Sequence, residues 1–145
     1  MNQEENDFYK KMRVKINAWL ETYAGKNNQW SEYILLAPDL FHLLTKLSID
    51  KDVPQSKKLK LYAAIAYFIS PIDLLPEAIL GPIGFLDDIA LAAYVLNDII
   101  NNIDPKIVLR NWAGEKDLLS TVKTILTNSN NFLGSGLWQK LMRKI

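Results

Sequence analysis

Apolar residues recur at steps of three and four along nearly the whole chain, and no stretch alternates in the manner of a strand. The spacing predicts a first helix over about Glu5 to Tyr23, with Phe8, Met12, Ile16, Trp19, Leu20 and Tyr23 on one face. Gly25, Lys26, Asn27 and Asn28 end it. A second helical region covers Ser31 to Leu47, with Ser31 as its N-cap. Pro38 disfavours helix at Ala37 and lacks a backbone donor, so a kink or a fresh start is expected there. Leu40, Leu43, Leu44 and Leu47 then form an apolar stripe.

The IDKDVP loop leads to a third helix, with Pro54 near its first turn. It is polar and basic from Gln55 to Lys60, then apolar or neutral at every position from Leu61 to Ile72. A helix hydrophobic all round belongs in a core or in lipid. Pro71, Pro76, Gly81, Pro82 and Gly84 interrupt the next stretch of chain, leaving room for one helical turn over Glu77 to Leu80. A fourth helix is predicted from Phe85 to Ile103, antiparallel to the third across the Ser70–Gly84 connection. Asp104 caps a fifth helix that starts at Pro105 and reaches Trp112, with Gly114 closing it. A sixth covers Asp117 to Leu126, the NSNNF run is a loop, and Gly136 to Lys144 makes a last short helix. The fold expected is all-α: a small single-domain bundle of five to seven helices around a central apolar hairpin.

Composition fits that reading. The 145 residues suit one domain, with 49% hydrophobic and 23% charged residues. The absence of cysteine excludes disulfides, thiol catalysis and cysteine-bound zinc. The N-terminus has no apolar core of the secretory kind, so a cytoplasmic location is the default. Net charge is +1, which argues against nucleic acid as a partner. Charge is nevertheless segregated. Asp73, Glu77, Asp87, Asp88, Asp98 and Asp104 lie in a stretch without Lys or Arg. Lys57, Lys58 and Lys60 precede it; Lys106 and Arg110 come after it.

The run YAAIAYFISPIDLLPEAILGPIGFLDDIALAAYVL resembles the YkvA-like family, domain of unknown function 1232. The resemblance rests on Ser70, Pro71, Ile72, Asp73, Leu74, Leu75 and Pro76, then Gly84, Leu86, Asp87 and Asp88. Glu77 stands where that family usually has Asp. It covers roughly Leu59 to Leu96, between N-terminal helices over 5–47 and C-terminal helices over 105–145. The resemblance implies a helical hairpin and, often, a membrane-related assignment; it implies no established activity.

Asp73, Glu77, Asp87 and Asp88 are the candidate chemistry. If the proline-rich connection folds back, these carboxylates converge and suit Mg²⁺, Ca²⁺ or Mn²⁺, so a divalent cation is the candidate cofactor. The plain structural reading competes with this. Asp73 can cap a turn before Pro76, and Asp87 and Asp88 can serve a helix dipole at about 0.3–1 kcal/mol each. On that reading Ser70, Pro71, Asp73, Pro76, Gly84, Asp87 and Asp88 form a rigid corner joining two apolar helices. His42, the lone histidine, lies in an apolar helical stripe with no Asp-Ser partners legible. GPIG does not match a phosphate-binding loop.

Membrane association is the other sharp alternative. Twelve uninterrupted apolar residues reach about 18 Å as helix, short of a hydrocarbon core of about 30 Å. That leaves a shallow re-entrant hairpin or a surface contact. Leu137, Trp138, Leu141, Met142 and Ile145 can share one face, with Lys140, Arg143 and Lys144 near the polar side, the pattern of an interfacial amphipathic helix. The expected function is a non-enzymatic helical scaffold that binds a partner protein or a membrane surface. The alternative is a divalent-metal site on Asp73, Asp87 and Asp88, with or without hydrolytic activity.

Overall fold

The structure, a computed structural model, describes residues 2–22, 26–27, 31–69 and 85–132, with side chains in the last stretch for 88–128. They form α1 (Gln3–Leu20), α2 (Ser31–Ile34), α3 (Ala37–Ser48), α4 (Gln55–Ile69), α5 (Phe85–Asn102), α6 (Pro105–Arg110) and α7 (Leu118–Phe132). The described residues contain no strand. The fold is a small all-α domain, as the periodicity predicts.

Local chemistry sets the helix starts. Asn2 and Glu5 make a capping box: the Glu5 amide donates to Asn2 Oδ1 at 2.8 Å and the Asn2 amide to Glu5 Oε1 at 3.0 Å. Pro38 stands in the first turn of α3, and of the kink or fresh start expected there the chain takes the fresh start, with α2 ending at Ile34. The Lys57 and Lys58 amides both donate to the Pro54 carbonyl, which places Pro54 before the first residue of α4. Asp104 caps α6 by accepting from the Lys106 amide at 3.0 Å. Asp117 does the same for α7 through the Ser120 amide at 3.0 Å.

Two boundaries differ from expectation by three residues or more. α1 stops at Leu20 rather than Tyr23. α7 runs through Phe132, so NSNNF continues the helix instead of leaving it. Asn128 explains its own part: its amide nitrogen donates to the Thr124 carbonyl within the helix and to the Tyr33 hydroxyl on α2. A residue of poor helix propensity is held in helix by tertiary contacts.

Of the two legs of the expected central hairpin, α5 is the centre of the bundle. It packs against α2, α3, α4, α6 and α7, while α1 rests on α3. Ile89 to Ala93, Val95, Leu96 and Ile99 are all buried. α4 runs antiparallel to it, since Lys57 and Lys60 near the start of α4 meet Asp98 near the end of α5. The rings of Phe8, Phe41 and Phe68 form a ladder joining α1, α3 and α4, at centroid spacings of 5.0 Å and 5.3 Å. Such pairs add about 0.5–1.5 kcal/mol beyond burial.

The third predicted helix needs a correction. The apolar run from Leu61 is not buried all round. Leu61, Ala64, Ile65 and Phe68 enter the core, while Tyr62, Ala63 and Ala66 face outward. Two of those outward positions are small alanines, so uniform mean hydropathy hid a two-faced helix.

Candidate functional site

The acidic corner is described only in part. Ser70, Pro71, Asp73, Pro76, Glu77 and Gly84 lie outside the described residues or without described side chains, as do Trp138, Lys140, Arg143 and Lys144 at the C-terminal end. Asp87 is in α5, but its side chain is outside the described set. Asp88 is described: it stands in the first turn of α5 and is 1% exposed. A carboxylate so deeply buried needs compensation, and the positive end of the α5 dipole supplies part of it. Among the described residues, no three His, Asp or Glu side chains are grouped so as to hold a metal ion.

Of the basic residues flanking the acidic stretch, Lys57 and Lys60 pair with Asp98 near its end, and Arg110 pairs with acids outside it. Asp98 on α5 accepts from Lys57 Nζ at 3.1 Å and Lys60 Nζ at 3.3 Å. Burial works against its charge, but the two lysines prevail and hold the carboxyl below its ordinary range. Arg110 pairs with Asp50 and with Asp52. These contacts pin α4 to α5 and α6 to the turn after α3.

Sequence reasoning missed a polar cluster on the opposite side of α3. A cleft of about 550 Å³ opens between α1, the start of α3 and the loop after α6, with Arg13, Asp39, Trp112 and Glu115 in its wall. Trp112 folds back over its own loop, donating from Nε1 to the Lys116 carbonyl at 2.9 Å. A Cβ at Gly114 would run into that ring, so any larger residue there has to displace it. Burial pushes the Asp39 carboxyl above its ordinary 3.8, with Arg13 and His42 opposing and Glu115 adding to the rise. His42 packs at a tilt against Tyr9, with centroids 5.8 Å apart, and its buried Nδ1 has no hydrogen-bond partner among the described residues. Burial, then the charge of Lys46, holds it below its ordinary 6.5. A neutral imidazole with one silent nitrogen is a packing group, in keeping with its place in an apolar stripe. The cleft wall carries no serine, threonine or cysteine nucleophile among the described residues. The spacing Arg13–Asp39–Glu115 carries no sequence signal.

The most distinctive surface is the outer face of α4. Leu59 is 70% exposed and Tyr62 is 47% exposed; Ala63 and Ala66 are exposed beside them. These four residues stand at i, i+3, i+4 and i+7, one continuous stripe. Tyr62 is held in place by a hydrogen bond from its hydroxyl to the Ser48 carbonyl at 3.3 Å. Among the described residues, no helix is long and apolar enough to cross a membrane.

Comparison with known proteins agrees with the hairpin motif. Residues 57–94 match the family described as "protein of unknown function (DUF1232)". The uncharacterized protein ORF9 of Methanothermobacter thermautotrophicus is 30% identical over 116 residues, which cover 80% of this chain and 77% of that protein. No solved structure matches significantly. The helix pair α4–α5, the motif between them and a relative aligned over most of both chains lead to one conclusion: the chain belongs to the DUF1232 family.

Proposed function

We propose that this domain is a non-enzymatic helical interaction module whose contact surface is the outer face of α4. The observation that carries the reading is the stripe of Leu59, Tyr62, Ala63 and Ala66, apolar and turned to solvent. Single exposed apolar residues are ordinary, but a contiguous stripe on one helix marks a contact. Its make-up favours a protein helix over lipid. Two alanines allow helix axes to approach to the short end of about 8–10 Å, whereas an interfacial membrane helix presents a bulkier apolar face.

The chain lacks cysteine, so single-cysteine variants can be labelled cleanly. Leu59→Cys, Ala63→Cys and Ala66→Cys, each carrying a photo-activated crosslinker, are illuminated in extracts of the source organism. Lys123→Cys, at an exposed position on α7, is the control. The reading expects protein adducts from the α4 positions only, competed by unlabelled wild type and not by Leu59→Asp. Equal adducts from α4 and α7, or none from α4, would falsify it.

A further inference from the structure

We infer that the occupant of the α4 face is a second copy of this chain, docked antiparallel about a two-fold axis that passes between Tyr62 and Ala63. This rests on the reading of α4 as a contact surface and goes further by naming the partner.

The stripe is complementary to itself. An axis between Tyr62 and Ala63 pairs each residue with the one equally far on the other side. Leu59 then meets Ala66 of the other copy, and Tyr62 meets Ala63 of the other copy. Each contact sets a large side chain against a small one, and symmetry repeats both. A two-fold interface requires this kind of self-complementary patch, and alternating large and small residues let helix surfaces interlock. The exposed large residues are in the first half of the stripe and the alanines in the second, so a parallel pair would set Leu59 against Leu59. Tyr62 is already fixed by Ser48, which lowers the cost of ordering it on docking.

Charge repeats the same symmetry. A groove runs beside the second half of the stripe, bounded by Glu4 and Glu5 of α1 and by Tyr62, Ile65 and Ala66. Lys58 stands four residues before Tyr62 and seven before Ile65, so it occupies the same flank at the opposite end. A two-fold axis lying in the plane of the contact, at right angles to α4, keeps like flanks together and reverses the helix direction. Lys58 of one copy therefore comes beside Glu4 and Glu5 of the other. Glu5 is engaged in the capping box, while Glu4 is exposed. Complementary charge at both ends fixes register as well as orientation.

The full chain is tested by sedimentation equilibrium. Wild type is expected to dimerise reversibly. Leu59→Asp and Ala66→Glu, both at exposed positions, are expected to raise the dimer Kd at least about tenfold with unchanged circular dichroism. Lys58→Glu is expected to weaken the dimer about threefold or more, and adding Glu4→Lys to restore it. Ala63→Cys, next to the axis, is expected to oxidise to a covalent dimer with copper phenanthroline, and Lys123→Cys to stay monomeric. A wild type that remains monomeric up to roughly 1 mM, the weak end of specific association, overturns the proposal. So does a dimer indifferent to Leu59→Asp and Ala66→Glu. Photo-crosslinking from α4 separates the two readings. Adducts to a different protein, with a monomeric wild type, remove the second copy and leave the contact surface standing. Binding to anionic vesicles that Leu59→Asp abolishes, without protein adducts, removes both.

Discussion

Arg110 on α6 and Asp50 in the turn after α3 are 60 residues apart in sequence and meet as a forked pair. Nη2 of Arg110 donates to Asp50 Oδ1 at 2.8 Å and to Oδ2 at 3.0 Å, and Nε donates to Oδ2 at 3.3 Å. Asn111 adds a bond to Oδ2 at 2.8 Å. The pair ties the hairpin of α3 and α4 to the C-terminal helices, and it makes stability depend on pH.

The hydrogen bonds from Arg110, then Asn111, hold the Asp50 carboxyl at about 2, below its ordinary 3.8. A depressed acid contributes stability above the unfolded value and loses it as pH falls through the folded one. The urea midpoint should therefore drop between pH 3.8 and about 2. Asp50→Asn should flatten that limb and cost about 1 kcal/mol at neutral pH, a figure reduced because the pair opens to solvent. His42, also depressed, gives a separate limb: its contribution is complete above 6.5 and declines as pH falls below it. His42→Phe should flatten the curve just under 6.5 and leave the acid limb unchanged.

Gly114→Ala places a methyl group against the Trp112 ring. The ring has to leave its position over Lys116, at a cost of about 1–3 kcal/mol. In a Trp112→Ala background the same substitution should cost little, and the coupling is read from a double-mutant cycle in urea. Additive losses would mean that the loop depends on Gly114 for another reason.

The two faces of α4 should respond oppositely to truncation. Phe68→Ala removes a ring that is 1% exposed and packs edge-on against Phe41, and should cost about 3–5 kcal/mol. Leu59→Ala, at 70% exposure, should change monomer stability by less than about 0.5 kcal/mol. Similar losses at both positions would contradict the face assignment.

Metal titration decides between corner and site at the acids. If Asp73, Glu77, Asp87 and Asp88 only hold the connection between α4 and α5, Mg²⁺, Ca²⁺ and Mn²⁺ at millimolar concentration leave the melting temperature unchanged. A rise in wild type that Asp87→Asn abolishes would establish a cation site, because a ligand of the native state alone raises its stability.

Much of the fold was legible in the spacing of apolar residues. Phe8, Met12 and Ile16 lie inward on α1, and Asp104–Pro105 starts α6, because periodicity and capping are local. The end of α7 was not legible, since Asn128 is held in helix by Tyr33 on a distant element. The two faces of α4 were not legible because alanine scores as apolar on either side of a helix. The cleft at Asp39 was hidden for a third reason: Arg13, Asp39 and Glu115 are brought together only by packing. The family motif was readable residue by residue, whereas the surface argued to carry function lies on the back of the helix that leads into it.

The central position of α5 sets the order in which the molecule opens. α2, α3, α4, α6 and α7 all lean on it, so its backbone amides exchange with solvent only when the whole domain unfolds. α1 leans chiefly on α3, through Phe8 and Phe41. It is placed to lift first, and its amides should exchange well before those of Ile89 to Ile99. Lifting carries Glu4 away from the edge of α4 while leaving Leu59, Tyr62, Ala63 and Ala66 where they were. Charge and apolar contact on one surface would then be governed by two different opening reactions.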